Sequence, residues 1–208
     1  SYEINKNKKV LINNDEKLYV KIISPNFDLQ YDLSIKEIEN RIKKLIRYSD
    51  ADKKKRTLFI WPEGVFSGYT YKESLIFKKL VKNNFSKKHF IILGTNRVDP
   101  LSGQYFNSML LLDNNFEIVT EYNKRKLVPF GEFLPFENFL NRYGFKKITE
   151  GYGAFSKGKE KKLLTAEKFN ILPLICYEVI FTDFIQESKD DTNLIVNISE
   201  DGWFGNSI

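Results

Sequence analysis

A chain of 208 residues, 42% hydrophobic and 15% aromatic, carries enough apolar material for one sizeable core and too little for two ordinary domains. Charged residues make up 29% of it and are interspersed with apolar runs, which excludes a disordered chain. The net charge of +6 comes from 33 basic against 27 acidic residues, and the excess lies in Lys-rich stretches (53–56, 157–162) that read as solvated faces and lack the aromatic interleaving of a nucleic-acid module.

The single cysteine, Cys176, excludes an internal disulfide. No apolar run reaches the roughly 18 residues of a membrane-spanning helix, and residues 1–14 are too polar and basic for a signal peptide. The chain as given is expected to be soluble. It ends on Trp203-Phe204-Gly205-Asn206-Ser207-Ile208, unlike the close of a compact domain, so it is expected to be a piece of something longer.

In chain order, residues 18–23 read as a strand closed by Ser24-Pro25-Asn26. Ser34 with Glu37 then forms a capping box, and Ile35, Ile38, Ile42, Leu45 and Ile46 make one apolar helical stripe. Residues 57–61 form the next strand, broken by Pro62-Glu63-Gly64. Thr70 with Glu73 caps a second helix bearing Leu75, Ile76, Leu80 and Val81. Residues 90–93 form a buried strand ending at Gly94, and 107–113 with 117–121 form a hairpin around Asn114-Asn115. The Pro-, Gly- and aromatic-rich stretch 127–150 is irregular, with one short helix near 136–143. Its apolar residues Phe133, Leu134, Phe136, Phe139 and Leu140 are expected to form a lid. Two late strands occupy 171–176 and 193–198. Helices and strands alternate early and strands dominate later, which indicates an α/β sandwich.

Three segments place a reactive group just after a buried strand, where α/β proteins build their sites. They are Trp61-Pro62-Glu63-Gly64, Tyr122-Asn123-Lys124 and Ile175-Cys176-Tyr177-Glu178. Cys176 is the natural nucleophile, and a thiol needs a base or a cation nearby. Glu63 supplies a base, and Lys124 a cation for the thiolate and then for an oxyanion. The one histidine, His89, sits in a Lys-rich run and reads as a surface or strand-edge residue, which disfavours a Cys–His pair. Taken singly, each group has a structural reading: Cys176 as inert core, Glu63 as a helix-start charge, Lys124 as part of a solvated basic face.

Taken together they carry a resemblance. The chain is similar to the nitrilase, or carbon–nitrogen hydrolase, superfamily, and within it to the apolipoprotein N-acyltransferase branch. The matching residues are Trp61-Pro62-Glu63, Tyr122-Asn123-Lys124, the run from Leu127 to Glu132, Cys176-Tyr177-Glu178, and Asn197-Ile198-Ser199 with Asp201 and Trp203-Phe204-Gly205. The resemblance runs from about Tyr19 to the last residue.

It implies a nitrilase-like α-β-β-α sandwich spanning 1–208, with its C-terminal part and a transmembrane region expected outside this chain. Glu63 resembles the general base, Lys124 the oxyanion-stabilising lysine and Cys176 the thioester-forming nucleophile. Glu132 and Glu178 resemble supporting acids, while Tyr177, Trp203 and Phe204 look like pocket residues. The implied reaction moves an acyl chain from a phospholipid to the α-amino group of a diacylglyceryl-cysteine at a lipoprotein N-terminus, by ping-pong thioester chemistry at the periplasmic side of a bacterial inner membrane. No metal, cofactor or nucleic acid is implied. A soluble amidase or nitrilase using the same three residues is the alternative. One departure stands out: the family typically has Asn where this chain has Glu200.

Overall fold

The central strands here are buried on both faces, while the edge strands are not. In the computed structural model, which describes residues 17–28, 30, 33–129, 132–133, 155–160, 162–186 and 191–200, apolar side chains of both parities are covered. Five strands form one sheet: β1 (Leu18–Ile22), β2 (Arg56–Ile60), β3 (His89–Val98), β4 (Tyr105–Leu112) and β5 (Ile118–Asn123), side by side in that order. β1, β2 and β3 run parallel, and β3, β4 and β5 antiparallel. Three strands form a second sheet: β6 (Leu164–Ala166), β7 (Phe169–Ile175) and β8 (Leu194–Ile198), with β7 in the middle, antiparallel to β6 and parallel to β8.

Because successive side chains alternate faces, the first sheet sorts its apolar residues into two sets. Phe59, Ile91, Leu93, Leu110 and Leu112 pack under the helices α1 (Ile35–Ser49), α2 (Tyr71–Ser74) and α3 (Lys78–Asn84), in one core with Ile38, Ile42, Leu45, Phe77 and Val81. Leu58, Ile60, Phe90, Ile92, Met109 and Leu111 face the other way, onto Leu164, Phe169, Ile171, Ile175, Val196 and Ile198 of the second sheet. The outer face of that sheet, through Leu172 and Leu174, packs on Phe184 of α4 (Thr182–Gln186). The layers therefore run helix, sheet, sheet, helix, as expected. Each side chain removed from water in this way contributes about 1.5–3 kcal/mol.

Local signals set the helix ends. Ser34 Oγ accepts the Glu37 N–H at 3.3 Å while the Glu37 carboxylate accepts the Ser34 N–H at 2.7 Å. Thr70 and Glu73 make the same reciprocal pair. At the other end of α1, Lys21 donates to the carbonyls of Ser49 and Asp50 at 2.8 and 2.9 Å, satisfying groups a helix leaves open.

Several expectations need correction. Ile35 lies exposed, at the first turn of α1, outside the buried stripe. The second helix is split by a 3-10 turn over Leu75–Phe77. That tighter winding carries Phe77 inward in place of Ile76, which is 61% exposed, and Leu75 is exposed too. β3 does not stop at Gly94 but continues to Val98, because β4 pairs with it along that whole length. Cys176 lies just beyond β7, and the three residues of β6 were too few to show a period. The helix expected near 136–143 falls outside the described residues, as do all the proposed lid residues except Phe133. Among the described residues, no helix is long and apolar enough to cross a membrane.

His89 is also not a surface residue. It is 1% exposed at the head of β3, where its ring meets Phe59 and Phe85 edge-on. Nδ1 accepts the Ser86 N–H at 3.1 Å and Nε2 lies 3.0 Å from the Asp52 carbonyl. A ring that accepts at one nitrogen and donates at the other is neutral. Burial pushes its pKa below the ordinary histidine value, against the opposing pull of the Asp52 and Lys55 carbonyls. The unfolded chain then takes up a proton near pH 6.5 before the folded one does, so this contribution to stability is present at neutral pH and is lost as pH falls through the folded value. His89→Gln keeps an acceptor and a donor but removes the titration. Between pH 7 and 5.5 the wild type should lose more of its thermal midpoint than the variant; parallel curves would contradict this.

Candidate active site

The loop after β2 carries Glu63, and its position depends on the neighbouring strand. Gly94 of β3 lies so close beneath it that a Cβ there would stand 3.0 Å from the Glu63 Cα and 2.6 Å from Ile198. Gly94 is therefore glycine because the Glu63 backbone passes over it, not because the strand ends there.

Lys124 follows β5 immediately. Its backbone N–H donates to the Asn107 carbonyl and its own carbonyl accepts from Gly158, both at 2.8 Å. Its side chain is 2% exposed, and Nζ donates to Glu132 at 3.0 Å. Glu132 also accepts the Val128 N–H at 2.9 Å, which closes its own short turn onto the lysine. Asn107, in β4, joins the two acids: its amide nitrogen lies 2.9 Å from Glu63 Oε1 and 2.9 Å from Glu132 Oε1. Asn107 was missed in the sequence. The available signal was a polar residue at an inward position of the strand, on the same face as Met109 and Leu111.

Cys176 sits where β7 turns into a 3-10 turn (Cys176–Ile180). Its φ of 54° is in the left-handed region, rare for any residue with a Cβ. Such strain, about 1–3 kcal/mol, persists only where the surroundings over-determine it. Glu178 does that. It is fully buried, and its carboxylate accepts from Tyr122 Oη (3.0 Å), Arg125 N–H (2.8 Å), Lys126 N–H (2.9 Å) and Ile175 N–H (3.0 Å). One buried acid thus ties the cysteine turn to the lysine loop. The Asn197 amide, oriented with its nitrogen inward, spans the Leu174 and Cys176 carbonyls at 3.0 and 3.1 Å from the β8 side.

Glu63, Lys124, Glu132 and Cys176 are thereby brought into mutual electrostatic reach. Tyr177 lines the same place: its ring centroid is 5.6 Å from Lys124 Nζ and its hydroxyl donates to the Leu127 carbonyl at 2.7 Å. Trp203 and Phe204, the other two expected pocket residues, lie outside the described residues. Among the described residues no group of three His, Cys, Asp or Glu is arranged to hold a metal ion.

The charges act in definite directions. Burial raises the Glu63 pKa above the ordinary carboxylate value, with Lys124 and Asn107 opposing. Burial and then the Glu63 charge raise the Cys176 thiol, with Lys124 opposing. Both shifts favour the protonated forms, against the thiolate that Lys124 alone would favour. An acid with a raised folded pKa gives stability below its unfolded pKa that is lost as pH rises through the folded value. At neutral pH, well above the unfolded value, Glu63 is thus a burden on the fold. Glu63→Gln keeps the acceptor for Asn107 and removes the charge, so its melting midpoint at pH 7.5 should rise above wild type, by about 2–4 °C for each kcal/mol relieved. A midpoint unchanged or lowered, in a correctly folded variant, would contradict the direction.

The comparisons with known proteins agree with this architecture. A family model described as carbon-nitrogen hydrolase matches residues 28–208. The chain is similar to the apolipoprotein N-acyltransferase of Rhizobium leguminosarum bv. trifolii, at 29% identity over 201 residues, covering 92% of this chain and 38% of that protein. It is 33% identical over 155 residues to the enzyme of the same name from Rhodopseudomonas palustris, covering 72% of this chain and 29% of that one. The chain therefore spans well under half the length of these relatives. Among solved structures, a carbon-nitrogen hydrolase from Helicobacter pylori superposes with a TM-score of 0.58 at 13% identity, covering 88% of this chain and 59% of that one. An amidase from Nesterenkonia sp., in complex with butyramide, gives 0.58 at 13% identity, covering 91% and 67%. With its layers and the residues matched, the chain belongs to the carbon–nitrogen hydrolase family.

Proposed function

We propose that this chain is the catalytic part of an apolipoprotein N-acyltransferase, with Cys176 as nucleophile, Glu63 as general base and Lys124 as the cation that receives the oxyanion. The observation that supports the roles most is the strained Cys176 turn held within the field of one buried lysine and one proton-hungry carboxylate. The names of the relatives supply the reaction class.

In the first half-reaction the Cys176 sulfur attacks the ester carbonyl of a phospholipid acyl chain while Glu63 takes the thiol proton. The carbonyl oxygen becomes an oxyanion beside Lys124 Nζ. Collapse expels the lysophospholipid oxygen, which takes the proton from Glu63, and leaves a thioester. In the second half the α-amino group of a diacylglyceryl-cysteine attacks the thioester, Glu63 takes the amine proton, and the leaving sulfur regains a proton as the amide forms. Glu132 fixes the lysine, and Glu178 fixes the cysteine turn. Tyr177, with Trp203 and Phe204, would wall the site against water long enough for the amine to arrive. In this reading the chemistry lies at a membrane surface, on the periplasmic side of a bacterial inner membrane.

The test uses intact protein incubated with phospholipid alone. Mass spectrometry should find one acyl group on Cys176, stable in water and discharged onto an added diacylated peptide with N-terminal cysteine; Cys176→Ala should stay unmodified. Release of free fatty acid at the same rate with and without peptide would favour a hydrolase and overturn the acyltransferase reading. An acyl mass on the alanine variant would falsify the nucleophile.

A further inference from the structure

One cation of α1 does not face solvent. Arg41 shares the buried stripe with Ile38, Ile42 and Leu45 and is only 9% exposed. Its guanidinium donates to the Gly64 carbonyl at 3.2 Å and to the Asp28 carbonyl at 2.8 Å, and it lies 4.8 Å from the centroid of the Phe27 ring. Arg41 thus holds the residue directly after Glu63, from the helix layer.

A second group reaches the same residue from the second sheet. Glu200 follows β8 by two positions. Its backbone N–H donates to the Glu63 carboxylate. Its own carboxylate fills the space that a Cβ on Gly64 would need. Gly64, at φ 76°, is a position that suits glycine on two counts: the backbone sign, and the room it leaves for Glu200. The negative charge of Glu200 is also the strongest acting on Arg41, ahead of Asp28 and Glu37. A buried arginine with no opposing charge is costly, so the two side chains answer each other across Gly64.

We propose that Arg41 and Glu200 are a charge-coupled pair of positioning residues, which clamp Gly64 and so aim the Glu63 carboxylate at the reacting thiol. This rests on the reading of Glu63 as the general base. The pair touches no substrate; it acts through the loop. Proton transfer requires hydrogen-bond reach, and a misplacement of one ångström can cost about 100-fold in rate. A carboxylate on a glycine-containing loop is therefore worth holding from both layers.

The experiment is a burst assay with p-nitrophenyl butyrate on the intact protein. Thioester formation on Cys176 releases one p-nitrophenol per site, whichever acceptor follows. Glu200→Gln keeps the backbone N–H and the shape and removes the charge, and at a half-exposed position it is compatible with folding. It should slow the burst rate constant by about tenfold, a partial misplacement on that scale, with the ester KM unchanged. Arg41→Met should do the same, and the double variant should be no slower than either single one, since the two act as a unit. Arg41→Lys should recover part of the rate. A Glu200→Gln burst at the wild-type rate, or a loss confined to KM, would overturn the proposal, as would losses that multiply in the double variant. If Arg41→Met fails to fold, the Glu200→Gln result decides alone. The underlying reading fails separately, when Glu63→Gln itself keeps the wild-type burst rate.

Discussion

A fully buried carboxylate with four donors on it, Glu178, connects parts of the chain that would otherwise have no reason to meet. Placed in an apolar interior without partners, such a group would be prohibitively costly. With Tyr122, Arg125, Lys126 and Ile175 donating to it, the same group becomes a fixed node between β5 and β7. Burial and the Glu178 charge push the Tyr122 hydroxyl well above the ordinary tyrosine value, so that hydroxyl remains a donor. The left-handed backbone of Cys176 and the direction in which Lys124 leaves β5 are both set at this node. The two sheets pack by apolar contact, which is tolerant of small slips. The hydrogen bonds to Glu178 are not.

A second network lies above the first. Asn107 gives its amide to Glu63 and to Glu132, and Lys124 gives its ammonium to Glu132. One cation is thus shared between two acids, but unequally. Glu132 has it in contact; Glu63 has only the amide and the field. That inequality fits different tasks for two similar side chains. An acid in direct contact with the cation serves as an anchor, while one left in a desolvated position keeps its appetite for a proton.

Much of this was legible in the sequence, and the reasons it was or was not are physical. Ser34 with Glu37 and Thr70 with Glu73 announce helix starts because capping is local. Glu63, Lys124 and Cys176 each follow an apolar run because α/β folds build their sites where strands end and the backbone turns. What depended on register was hidden. Asn107 means nothing until β4 is aligned with β3 and β5. His89 looks solvated among lysines, yet Ser86 and Asp52 fold over it. Arg41 resembles any basic residue on a polar helix until Gly64 and Asp28 are seen to present carbonyls to it. Gly94 looks like a strand end in the sequence, whereas its missing side chain makes room for the Glu63 backbone. A polar residue at an inward position of the period, as at Asn107 and Arg41, shows that a contact exists but not with what.

The electrostatics also bear on why a carboxylate can serve here in place of a histidine. Burial disfavours the charged form of both Glu63 and the Cys176 thiol, so two anions side by side are the costly arrangement. If Glu63 takes the proton as sulfur attacks, it becomes neutral while the negative charge appears on the substrate oxygen. The number of charges in the pocket does not change; one negative charge moves across it, towards Lys124. Attack by a preformed thiolate would instead require the buried site to hold thiolate and carboxylate together. A histidine base would create an imidazolium next to a lysine already committed to the site, a repulsion that the two neighbouring acids would have to offset. With a buried lysine fixed in place, an acid that changed from charged to neutral during the attack would leave the local balance intact, and the burial of Glu63 favours that change.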